Sequence, residues 1–196
     1  KRYCKLIFLN YLLIKGDFYL KFKLVLILML VIVLIGGCES NRYEVKGIRE
    51  KGKYEEEPVI KVKLNNGQTK SMKIEEYITG VVAGEMKKDW PENAYGAQAI
   101  LARTFALKYL EDNNTKTISG SYKYAQEYKP EAIDSKIRDA VKKTRGEVVL
   151  YNDSFIKGWF HSSAGGQTTS AKIGLAYKEK EPPYIKSVSS PDGKAP

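Results

Sequence analysis

Residues 74–110 read IEEYITGVVAGEMKKDWPENAYGAQAILARTFALKYL, and the fold turns on how this stretch divides. Tyr77, Ile78, Val81 and Val82 recur at helical spacing, which predicts a helix over 75–83. Gly84 interrupts that pattern just ahead of Glu85. Trp90-Pro91-Glu92 marks a second start, because a proline in a first turn gives up an N–H that has no helical partner anyway. The second helix is predicted to run to about Leu110, with Ala94, Ala97, Leu101, Phe105 and Lys108 at helical spacing. Gly96, Ala99 and Ala102 permit a close backbone neighbour. Gln98, Arg103 and Thr104 stand in the same pattern, and by spacing alone Arg103 reads as a helix-surface cation. A carboxylate at a helix junction and an arginine among alanines make Glu85 and Arg103 the first candidates for a site.

Working outward, residues 59–64 alternate apolar with Lys, Asn65-Asn66-Gly67 is a turn signal, and 68–74 resume an extended pattern. That predicts a β-hairpin with one wet face. Residues 112–129 read as a polar loop. Asp134 is a candidate N-cap for a helix to Lys143 with Ile137, Ala140 and Val141 inward, stopped by Gly146. Strands are expected over 147–151 and 154–162 around an Asn152-Asp153 turn, with Phe155, Lys157, Trp159 and His161 on one face. The chain then enters Ser162-Ser163-Ala164-Gly165-Gly166. Paired glycines among hydroxyls read either as a flexible turn or as backbone N–H groups offered to a ligand. Pro182-Pro183-Tyr184 reads as an extended surface segment.

The N-terminus reads as an address. Residues 24–35, LVLILMLVIVLI, follow Lys21 and Lys23 and end in Gly36-Gly37-Cys38. A bilayer span takes about 20 apolar residues, so this shorter run fits a signal-peptide core. The Ile-Gly-Gly-Cys ending resembles a bacterial lipobox, which would make Cys38 the lipidated first residue of a mature lipoprotein. The alternative is an uncleaved anchor reaching back to Phe18. A second apolar stretch ahead of residue 19 fits neither reading. Lys15-Gly16-Asp17 can be encoded as AAAGGAGAT, a ribosome-binding sequence, with Leu20 as a TTG start codon. The expected organisation is a signal peptide over 1–37, a charged tether over 38–58 with a short strand over 43–48, and a domain over 59–196.

The chain has 196 residues and a formal net charge of +10. Six of its cations and one of its anions precede Cys38, so the remainder carries a mild excess. No Lys/Arg block with interleaved aromatics marks a nucleic-acid footprint. Cys4 and Cys38 both lie in the N-terminal segment, and His161 is the single histidine. That leaves no disulfide framework and no cysteine-based or histidine-rich metal site in the body.

Four segments in order, EEYITGVVAGEM, WPENAYGAQAILARTFAL, AVKKTRGEVVLYNDSFIKGWFHSSAGGQTTS and PPYIKSVSSPD, resemble the stage II sporulation protein D family, which includes the amidase enhancers. The resemblance spans 59–192. It implies an α+β fold, with small mixed sheets packed with two to three helices around a substrate groove. It also implies lytic transglycosylase activity on peptidoglycan glycan strands, especially peptide-free ones. The family's catalytic Glu falls on Glu85, its helix Arg on Arg103, and its His-Ser motif with paired glycines on His161, Ser162, Gly165 and Gly166. Three departures stand out. Lys87 replaces the usual Pro after Glu-Met, the segment over 119–128 is degenerate, and the family's C-terminal part is missing after Pro196. The zinc some members carry is not expected, nor any cofactor.

A lytic transglycosylase needs one carboxyl group where most glycosidases need two. That group has to be protonated when the glycan binds, so apolar neighbours are expected around Glu85, with Val81, Val82, Met86 and Trp90 as candidates. An adjacent Arg103 would oppose protonation. Arg103 is therefore assigned to a substrate carboxylate or acetamido oxygen, and His161 to the sugar, to Glu85, or to a structural role. Glu85, Arg103 and His161 are expected to line one concave surface. The expected partners are glycan strands, the membrane through the N-terminal anchor, and a cell-wall hydrolase or sporulation protein. The expected place is the outer face of a bacterial membrane. Two other readings use the same features: a glycan-binding or amidase-activating lipoprotein that does not cut, and a structural lipoprotein that anchors a complex.

Overall fold

In the computed structural model the described residues are Lys23 and 53–193. The chain divides into two units, Lys1–Arg42 and Tyr43–Pro196, and every element below belongs to the second. The expected signal peptide, the lipidation site Cys38 and the strand over 43–48 lie outside the described residues. Among those described, no helix is long and apolar enough to cross a membrane.

The hairpin forms as its alternation predicts. β1 (Val59–Lys63) buries Ile60 and Val62 and exposes its lysines. β2 (Thr69–Lys73) pairs with it antiparallel, Val59 opposite Lys73. Gly67, at φ 84°, supplies the left-handed turn residue between them. A third strand, β3 (Thr117–Ser119), pairs parallel with β1 in a β2-β1-β3 sheet, within a segment read as loop. β4 (Leu150–Tyr151) and β5 (Ser154–Phe155) form a separate hairpin. Asn152 and Asp153 take φ 48° and 58° at its tip, as a primed turn requires.

The helices are α1 (Ile74–Glu85), α2 (Glu92–Asp112), α3 (Ser135–Lys143) and the short α4 (Ala171–Gly174). The described residues from 53 to 193 are thus α+β with small sheets and four helices, where two to three were expected. Ile74, Tyr77, Ile78, Val81 and Val82 of α1 are fully buried, so α1 is the central helix, with α2 and α3 packed against it. Glu75 and Glu76 sit in its first turn, where negative charge suits the helix dipole. α3 starts as expected, with Asp134 accepting the Ile137 N–H at 2.9 Å.

Three readings are corrected. Gly84 lies inside α1, which continues through Glu85. The glycine is there because a Cβ would come within 2.2 Å of the Glu127 carbonyl oxygen. The buried face of α2 is Tyr95, Gln98, Ala99, Ala102, Arg103, Ala106, Leu107 and Leu110; the stripe through Ala97, Leu101, Phe105 and Lys108 is the wetter one. The strand expected over 154–162 ends at Phe155, because β4 offers only two partner residues. Beyond it the chain crosses α2, where a Cβ on Gly158 would lie 2.8 Å from the Leu101 carbonyl oxygen.

The domain also starts earlier than Val59. Tyr54 is buried, Lys53 bridges to Glu147, and Glu57 accepts from the Glu75 N–H and from Arg145. The tether reading therefore does not extend over 53–58.

Candidate functional site

Glu85 is the last residue of α1 and is half-buried. Its Oε1 accepts the Glu127 N–H at 2.9 Å; among the described residues Oε2 takes no hydrogen bond or ion pair. The segment over 120–129 is laid along α1 by the two helix glycines. The Tyr128 ring occupies the place of a Gly80 side chain and stacks on Tyr77 at 5.7 Å. The Lys129 N–H donates to the Gly80 carbonyl at 3.0 Å. Burial, and then the nearby Glu85 carboxylate, push the Tyr77 phenol up. A Gly84→Ala variant should therefore displace the backbone at Glu127 and cost on the order of 1–3 kcal/mol. Urea unfolding and amide exchange at Glu127 measure this, and unchanged values of both would refute it.

Gly84 and Met86, on either side of Glu85, line a cavity of about 320 Å³ with Lys87, Lys88, Lys129, Ala132 and Ile137. Val81 and Val82 are fully buried, whereas Trp90 is 39% exposed and is not among that cavity's lining residues. Lys87, at the family's proline position, keeps its carbonyl in the structure by accepting from the Tyr95 hydroxyl at 3.1 Å.

Arg103 is not a helix-surface cation, and its burial speaks against the expected substrate contact. It is fully buried. Its Nε and Nη2 donate to the two oxygens of Glu75 at 2.9 and 2.8 Å, and Nη1 donates to the Glu147 carbonyl at 2.8 Å. Glu75 also accepts the Gly146 N–H at 3.0 Å and the Tyr54 hydroxyl. The neighbouring Thr104 hydroxyl accepts the Val149 N–H at 3.0 Å. The Arg-Thr pair of α2 thus docks the chain over 146–149, and both side chains are fully buried. The partner was missed because it lies 28 residues away in sequence. The usable signal was an arginine on a helix face of alanines, since an arginine buried there requires a carboxylate.

His161 is exposed and lines a second cavity, of about 410 Å³, with Trp159, Phe160, Gln167, Thr168 and Tyr184 among others. Ser162 is exposed beside it. Gly165 and Gly166 take φ 64° and 99°, so glycine is needed at both for the turn itself. Their N–H groups are not free for a ligand: Gly165 donates to the Ser163 hydroxyl at 3.3 Å and Gly166 to Asp192 at 3.1 Å. Asp192 also accepts from the Ala164 N–H and the Ser163 hydroxyl. The loop is an anion nest that the chain fills with its own carboxylate, so the expected offer of N–H donors to glycan is corrected.

The hydroxyl of Ser190, the Ala164 N–H and the Ser163 hydroxyl hold Asp192 well below the usual carboxylate range. A depressed carboxylate contributes above its ordinary value and loses that contribution only as pH falls through the depressed one. The loop should therefore stay closed at a pH where ordinary aspartates are protonated. Asp192→Asn should open it at every pH. Amide exchange at Ala164 and Gly166 reads this, and equal rates in both proteins would count against the nest.

Neither Glu85 nor Arg103 lines the cavity of His161, the cavity at Met86, or those at Phe105 and Leu64. Nor is any cluster of His, Cys, Asp and Glu among the described residues arranged for a metal ion.

Comparison with known proteins matches residues 64–151 to the family described as "Stage II sporulation protein". That stretch holds Glu85 and Arg103 and stops ahead of His161. Stage II sporulation protein D of Bacillus subtilis (strain 168) is 36% identical over 149 residues, covering 67% of this chain and 43% of that protein. The Bacillus amyloliquefaciens protein of the same name is 32% identical over 171 residues, 78% of this chain and 49% of that one. The amidase enhancer of Bacillus subtilis (strain 168) is 31% identical over 98 residues, 48% of this chain and 13% of that one. The chain thus spans less than half the length of these curated relatives. With the Glu-Met turn and the Ala-Arg-Thr helix both inside the matched stretch, the chain belongs over 64–151 to the stage II sporulation protein D family.

Proposed function

We propose that this chain acts on the bacterial cell wall as a lytic transglycosylase of peptidoglycan glycan strands, with Glu85 as acid and then base. The observation that carries the reading is the Glu85 carboxyl itself. One oxygen is fixed by the Glu127 N–H, the other is unengaged among the described residues, and the chain neighbours Gly84 and Met86 line a cavity. The match to the stage II sporulation protein D family and the likeness to an amidase enhancer support the same wall context.

The chemistry needs no second carboxylate. The protonated Oε2 gives its proton to the glycosidic oxygen as the bond from that oxygen to C1 of muramic acid breaks. The resulting carboxylate then takes the proton of the C6 hydroxyl as O6 bonds to C1. The leaving sugar carries the first proton away, Glu85 keeps the second, and a 1,6-anhydro end forms without water. His161 holds the strand from the second cavity, and Ser162 from the exposed chain next to it, through their side chains. The N-terminal segment places the domain on the outer face of the membrane as a lipoprotein on Cys38, where glycan strands and wall hydrolases are the partners.

A second reading has its own support. Because the cavity that His161 lines does not include Glu85, the chain could grip glycan, or activate an amidase, without cutting. Incubation with peptide-free strands separates the two. Anhydro-muramic ends that disappear in Glu85→Gln support the enzyme; retained binding without new ends supports the binding module.

A further inference from the structure

The cavity beside Glu85 has a polarity that suits one part of a glycan strand. Its lining side chains include Lys87, Lys88 and Lys129 and no acid; its apolar side comes from Met86, Ala132 and Ile137. Lys129 shares a 3.5 Å ion pair with Glu127, while Lys87 and Lys88, both exposed, have no ion pair among the described residues. Muramic acid differs from its neighbour sugar by an O-lactyl group, a methyl and a carboxyl on one carbon. Where a stem peptide is attached that carboxyl is an amide. Where the peptide is absent it is an anion.

We infer that this cavity is a lactyl-carboxylate subsite, in which Lys87 and Lys88 read the free carboxylate of peptide-free muramic acid while the apolar wall takes the lactyl methyl. The inference rests on the transglycosylase reading for its substrate and on the cavity for its chemistry. Charge balance favours an anion here, because the two lysines are left without carboxylates of their own. It also gives Lys87 a use, because it puts a cation two residues from the candidate acid.

The test is a binding assay on the full chain carrying Glu85→Gln, so that binding is read apart from cleavage. The ligands are peptide-free glycan strands, the same strands with their carboxyls methyl-esterified, and chitin oligosaccharides, which lack the lactyl group. Peptide-free strands should bind best, with affinity falling as salt rises. Lys87→Ala should weaken them about five-fold and Lys87→Ala with Lys88→Ala at least about ten-fold, with little effect on the two neutral ligands. Both lysines are exposed, so the fold is not at stake, and circular dichroism confirms it. Equal binding of esterified and free strands, or lysine variants that bind free strands as the parent does, would overturn the subsite. Anhydro ends produced by a protein that fails this assay would leave the enzyme standing and remove the subsite. A protein that passes but makes no anhydro ends would do the reverse.

Discussion

Arg103→Ala should be among the most destabilising single changes in the domain, at about 3–5 kcal/mol, because it leaves the Glu75 carboxylate buried without its cation. For a domain of this size that is a fall in Tm on the order of 10 °C. The reason is geometric as well as electrostatic. The planar guanidinium fits both oxygens of Glu75 and still reaches the Glu147 carbonyl, so one side chain ties α1 to the chain leading into β4. Arg103→Lys should recover little, since an ammonium cannot reproduce the two parallel bonds. Glu75→Gln should be milder, and the double change Arg103→Met with Glu75→Gln should cost less than the sum of the singles, because no unpaired charge remains. Denaturant unfolding checks the series. The contrary result is an Arg103→Lys protein with parental stability and lost glycan binding, which would return Arg103 to the substrate.

This pair also shows what a one-dimensional pattern conveys and what it does not. Local features were legible. Asn65-Asn66-Gly67 between alternating segments became a hairpin, and Asp134 became the cap of α3 with Ile137, Ala140 and Val141 inward. Features that depend on distant partners were not. Thr117–Ser119 buries only Ile118 and is a strand because β1 lies beside it. Residues 157–162 alternate as a strand should, yet have no paired edge among the described residues, so the chain crosses α2 through Gly158 instead. The candidate site divides along the same line. Glu85 at a helix end could be picked out from its own neighbours, whereas the roles of Arg103 and the paired glycines depended on Glu75 and Asp192, each far along the chain. Both polar motifs are fastenings that use the chain's own carboxylates.

The second large effect falls on catalysis. Glu85→Gln keeps the Glu127 N–H acceptor through its amide oxygen, so the fold and the 120–129 segment should be undisturbed. It removes the only proton donor and acceptor the proposed reaction uses, so turnover should drop by about two to four powers of ten. Any residual stability loss should stay within about 0.5 kcal/mol, in line with a half-exposed position.

The direct measurement is digestion of peptide-free glycan strands by the protein, with the ends of the products identified by mass spectrometry. The account predicts 1,6-anhydro-muramic ends in the parent and none above background in a folded Glu85→Gln variant. Ordinary reducing ends, or anhydro ends that persist without the Glu85 carboxyl, would contradict it.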